Sequence, residues 1–190
     1  MGIDLKKGGK IDLSKEAPGL EDVIIGLGWD GNSSDTGAEF DLDASVFMLG
    51  ENGKTKVETD FVFYNNLTST DGSVVHQGDN RTGEGDGDDE SIELTLSKVG
   101  PDTKEIVFVV TIDDAEARSQ NFGQVTNAFI RLVDKKTGKE ILKYELDEDY
   151  SAETAIEFGK LYKRDGSWKF SAVGTGFNSG LQGFVDKYTV

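Results

Sequence analysis

The sequence predicts an all-β fold, an antiparallel β-sandwich of about eight to ten strands with a short C-terminal helix. Short apolar runs alternate with a period of two, as in "VIIGLGWD" (23–30), where Ile25, Leu27 and Trp29 share one face and Gly26, Gly28 and Asp30 the other. Glycine is abundant at 24 residues and proline scarce at 2, a balance that suits many tight turns between short strands. Hairpin signals, above all Asp-Gly in "RDGS" (164–167), recur between the runs. At 190 residues the chain can bury a sizeable core, and no composition shift marks a linker, so residues 1–190 read as one domain.

After 23–30 comes "FDLDASVFML" (40–49), which alternates in the same way, and then the short run "DFVFY" (60–64). "SIELTL" (91–96) and "EIVFVVTI" (105–112) follow, joined by the turn "GPDT". "AFIRLVD" and "KEILKYEL" flank "KKTG", a hairpin with Gly138 expected at positive φ. Ser151 offers a helix cap to 151–163, yet Asp-Gly lies between Ile156/Phe158 and Trp168/Phe170, so two strands are predicted there. Only "GLQGFVDKYTV" and a turn near "AEARSQNFG" read as helical. Trp29, Phe47 and Trp168 are expected in the core.

The net charge of −16, from 20 basic and 36 acidic residues, argues against nucleic acid and anionic membranes as partners. It favours cations. No cysteine is present, which excludes disulfides and thiolate chemistry. The sequence shows no apolar signal segment and no membrane-length window, so a soluble cytoplasmic protein without membrane insertion is expected.

The most distinctive segment is "HQGDNRTGEGDGDDES" (76–91), with Asp79, Glu84, Asp86, Asp88, Asp89 and Glu90 among four glycines and only Arg81 opposing them locally. Ca²⁺ takes six to eight oxygen ligands from carboxylates, amide carbonyls, backbone and water, and this segment offers each protein donor type. The EF-hand pattern is absent. In "FDLDAS", Asp41 and Asp43 share one strand face, roughly 6.5–7 Å apart, with Phe40, Leu42 and Ala44 on the other. Asp30 ends its own strand, and Asn65 and Asn66 in "FYNN" add neutral oxygen donors. The plainer alternatives are a solvated acidic loop for 76–91 and the wet face of a half-buried strand for Asp41 and Asp43. His76, the one histidine, reads as an ordinary loop residue, with no second histidine to build a zinc site.

"GLGWD", "FDLDASVFMLG", "DFVFYNN", "SVVHQGDNRTGEGDGDDE", "FIRLVD" and "WKFSAVGTGF", in this order, resemble the tellurite-resistance (TerD) family along essentially the whole chain. The resemblance implies a cytoplasmic β-sandwich that binds Ca²⁺, two ions close together, and that serves resistance to tellurite and other stresses. It implies Asp79, Asn80, Asp86, Asp88, Asp89 and Glu90 as metal ligands. The same resemblance implies further oxygen from Gly83 and Glu84, and Asp30, Asp41, Asp43 and Asn66 at the same end of the sandwich.

The expected function is therefore that of a calcium-binding, non-enzymatic module whose ordered loops present a surface to other proteins of a stress system. The alternative is a metal-dependent phosphoesterase using paired carboxylates. Against that alternative, no base–nucleophile arrangement or phosphate-cradling loop is recognisable.

Overall fold

The computed structural model describes residues 2–30, 40–78, 87–148 and 150–190. Their strands, in chain order, are β1 (Ile3–Leu5), β2 (Lys10–Asp12), β3 (Asp22–Asp30), β4 (Leu42–Leu49), β5 (Phe61–Val62), β6 (Val74–His76), β7 (Glu90–Thr95), β8 (Glu105–Ile112), β9 (Thr126–Asp134), β10 (Glu140–Glu145), β11 (Ala155–Arg164) and β12 (Ser167–Phe177). Three helices join them, α1 (Leu13–Glu16), α2 (Ala115–Arg118) and α3 (Gly180–Tyr188).

The strands form two six-stranded sheets, sheet A in the order β1-β10-β9-β3-β7-β6 and sheet B in the order β2-β12-β11-β8-β4-β5. The sandwich is as the sequence predicts, but with twelve strands rather than eight to ten. The additional ones, β1, β2 and β6, have three residues each, too few to show a period of two. They close edges. The chain passes from sheet A to sheet B between β1 and β2, and from B to A between β5 and β6, so the outermost strands are short. One pairing departs from the antiparallel expectation, because β1 runs parallel to β10.

Val23, Ile25, Leu27 and Trp29 of β3 face Leu42, Ala44, Val46 and Met48 of β4 and Ile106, Phe108 and Val110 of β8 in one buried cluster. The opposite face of sheet B is also covered. Helix α3 seats Phe184 and Tyr188 on Phe47, Leu49, Phe61, Val107 and Val109, which explains why "SVFML" and "IVFVV" read as continuous apolar runs. Trp29 and Phe47 are core residues, while Trp168 packs against the core only partly buried.

The hairpin signals place the turns correctly. Asp165 and Gly166 both adopt left-handed φ, 53° and 77°, between β11 and β12, and Gly138 has φ 71° between β9 and β10. The turn at 115–123 contains α2, followed by a 3₁₀ turn at Phe122–Gln124. "DFVFY" is shorter as a strand than predicted, because the chain turns where Phe63 and Asn66 exchange backbone hydrogen bonds of 3.0 Å each.

Candidate metal centre

Strand direction brings the candidate residues to one end. Strand β3 finishes at Asp30, while β4 and β7 start just after Asp41 and Asp89. Because β3 is antiparallel to β7, and β4 to both β8 and β5, the end of β3 and the starts of β4 and β7 meet the ends of β8 and β5. Asp30, Asp41, Asp43, Asn66, Asp88, Asp89 and Glu90 therefore occupy one pole of the sandwich. Asp79, Asn80, Gly83, Glu84 and Asp86 lie outside the described residues.

Asp88, Asp89 and Glu90 are each held by a different strand. The Asp88 carboxylate receives two hydrogen bonds from Arg131 on β9, from Nε to Oδ1 at 2.7 Å and from Nη2 to Oδ2 at 3.0 Å. It lies over Gly26 of β3, where a Cβ would collide with it. Asp89 accepts from the Trp29 backbone N–H at 2.8 Å, and its own N–H donates to the Leu27 carbonyl at 2.7 Å. Glu90 turns inward to 2 % exposure, and its Oε2 accepts from the Ala44 N–H at 2.7 Å. That N–H belongs to sheet B, where β5 pairs only with Val46 and Phe47 and stops short of Ala44.

His76 is a correction to the loop reading. It sits in β6 at 3 % exposure, with Nε2 3.6 Å from Glu90 Oε2. Its Nδ1 accepts from the Gly78 N–H at 3.0 Å, so the ring proton sits on Nε2, facing the carboxylate. The sequence conceals this, since His76 follows only two strand residues and precedes a glycine-rich run.

Asp43 pairs in register with Thr111, and the Asp113 N–H donates to the Asp41 carbonyl at 2.7 Å. Asp43 thereby shares a groove of about 730 Å³ with Asp113, Asp114 and Glu116, against Tyr64 and Leu181. Sequence reasoning passed over this second acidic set. Its signal was "DDAE", placed directly after a strand that returns beside Asp43. Asp30 accepts from the Asn127 side-chain amide. Asn66 directs its amide nitrogen to the carbonyls of Phe61, at 2.8 Å, and Thr59, at 3.2 Å.

The local field favours a cation. Burial pushes the Asp89 carboxyl up from its ordinary value, with the charges of Asp88 and Asp30 adding to the shift against the Trp29 hydrogen bond. Carboxylate, amide and backbone oxygens make up the donor set, which fits a hard cation and not a thiolate- or imidazole-seeking metal. Among the described residues no three Asp, Glu or His side chains are close enough to hold an ion by themselves. No helix among them is long and apolar enough to cross a membrane.

The TerD domain family matches residues 1–188. The chain is 55% identical to tellurium resistance protein TerD of Serratia marcescens over 190 residues, covering 100% of this chain and 98% of that protein. It is 54% identical to general stress protein 16U of Bacillus subtilis, covering 99% and 97%. A solved structure of a homologue of the telluride resistance protein TerD from Streptomyces coelicolor shares the fold, with a TM-score of 0.70 at 23% identity over 87% of this chain and 95% of that one. By its full-length match in sequence, the chain belongs to the TerD family of tellurium-resistance and stress proteins.

Proposed function

We propose that this chain is a cytoplasmic calcium-binding protein of a tellurite-resistance and stress-response system, which holds two Ca²⁺ ions at its acidic pole. The observation that supports this reading most directly is that three strand ends carry Asp30, Asp41, Asp43, Asp89 and Glu90 to one pole of the two sheets. Asp79, Asn80, Gly83, Glu84 and Asp86 would complete the ligand set, with Asn66 beside them. Bound Ca²⁺ would neutralise the carboxylate repulsion there, and its tolerance of irregular, high coordination suits such a set better than the octahedral demand of Mg²⁺.

The proposed role is binding rather than catalysis. The one histidine is buried, with Nδ1 already accepting from Gly78, so it is not presented to a substrate as a base. Direct capture of a tellurium oxyanion is unattractive at a net charge of −16 and without cysteine. Resistance then acts through other proteins of the system, which dock on the pole once metal has ordered it.

Isothermal titration with Ca²⁺ and Mg²⁺, paired with thermal melts, tests the reading. Saturable Ca²⁺ uptake should accompany a chelator-reversible rise in melting temperature. An ion that binds only the native state adds roughly 2.7 kcal/mol at a hundredfold excess over Kd. Identical melts in Ca²⁺ and chelator, with no titration heat, would sink it.

A further inference from the structure

We infer that Arg131 is a positioning residue for the cation site and that Asp88, which it grips, is an anchor rather than a ligand. The inference rests on the calcium-binding reading above.

Arg131 lies on β9, across β3 from the acidic segment, and its register partner on β3 is Gly26. The absence of a side chain at Gly26 lets Asp88 lie across the outer face of sheet A and reach the guanidinium. Both Asp88 oxygens meet guanidinium N–H groups, at 2.7 and 3.0 Å, and a third Arg131 nitrogen reaches Glu140 at 3.3 Å. A planar fork against a planar carboxylate fixes both position and orientation, which a lysine ammonium does not do. A cation approaching those oxygens would also meet the guanidinium charge.

The next two residues explain what the grip achieves. Asp89 is tied to Trp29 of β3 and Glu90 to Ala44 of β4, so three successive residues are fastened to three strands in two sheets. Fixing Asp88 sets the direction in which the chain enters β7, and with it the placement of Asp89 and Glu90 at the pole. Groups that orient metal ligands without touching the metal commonly change its affinity 10–100-fold when altered.

The test uses the full chain with Arg131→Lys, which keeps the charge and loses the fork, together with Asp88→Asn and the double variant. In calcium titration calorimetry each single variant should bind at least about tenfold more weakly. The double variant should be no weaker than the weaker single one, because both changes break the same contact. Asp88→Asn abolishing binding while Arg131→Lys binds normally would make Asp88 a ligand and overturn the inference. Loss in Arg131→Lys without loss in Asp88→Asn would overturn it as well, since Arg131 would then act through something else. Amide exchange in chelator supplies a metal-free readout. The Trp29 N–H should exchange faster in Arg131→Lys, while amides of the distant hairpin at Asp165 and Gly166 keep their protection and report an intact fold. If the unaltered chain takes up no Ca²⁺, the functional reading fails and the exchange result alone decides the positioning claim. Unchanged Trp29 exchange would then refute it.

Discussion

The backbone N–H of Ala44 donates to Glu90 Oε2 at 2.7 Å, joining sheet B to sheet A at the acidic pole. Both partners are buried, and β5 does not extend far enough to accept that N–H. A buried N–H left without an acceptor costs roughly 1–3 kcal/mol, so Glu90→Ala should lower stability by that amount with no metal present. Urea denaturation in chelator measures it. Equal midpoints for the two proteins would mean that Glu90 matters only through metal.

How far the sequence reveals this arrangement depends on the range of each contact. The alternation in "VIIGLGWD" and the Asp-Gly of "RDGS" are local signals, and β3 and the β11–β12 hairpin follow them closely. The three-residue strands β1, β2 and β6 carry no such signal, because pairing across the sandwich edge creates them. The same division holds at the pole. Asp41 and Asp43 are readable as same-face acids, whereas the Arg131–Asp88 pair spans 43 positions and depends on the missing side chain at Gly26. The sequence identifies Arg81 as the local counter-charge, but the cation that grips Asp88 comes from β9.

The β11–β12 turn should depend on glycine for backbone reasons alone. Gly166 has φ 77°, and a Cβ there would meet nothing within 4 Å. Gly166→Ala should therefore cost about 1–2 kcal/mol, the penalty for a left-handed L-residue, with calcium affinity unaltered because the turn lies at the far end. Denaturation and calcium titration of the same variant check both halves. A loss of affinity would show that the two ends communicate.

Asp12 sets an acid limit on the opposite edge of sheet B. It accepts from Lys169 Nζ at 2.6 Å, and from Ser14 N and Oγ at 3.0 and 2.6 Å. The Lys169 contact, followed by those of Ser14, holds its carboxyl well below the usual carboxylate range. A folded-state pKa below the unfolded one gives stability that is complete above the ordinary Asp value and lost as pH falls through the folded value. Asp12→Asn should therefore flatten the acid limb below about pH 4 and leave the slope near neutrality unchanged. Urea midpoints across that range test it. A limb as steep as in the unaltered protein would assign the acid sensitivity to other carboxylates.

Trp29 should report cation binding directly. Its ring is buried at 5 % exposure, its backbone N–H is held by Asp89, and its indole Nε1 has no hydrogen-bond partner among the described residues. Trp168, the other tryptophan, sits at the start of β12, beyond the turn at the opposite end. In a Trp168→Phe chain, emission then comes from Trp29 alone. Charge arriving beside Asp89 changes the field across the indole, so Ca²⁺ should produce a saturable emission change that chelator reverses. Asp89→Asn should weaken the response by removing a carboxylate charge while leaving an amide oxygen to accept the Trp29 N–H. Calorimetric binding with flat Trp29 emission would place the ions away from the β3 terminus and remove Asp30 and Asp89 from the ligand set.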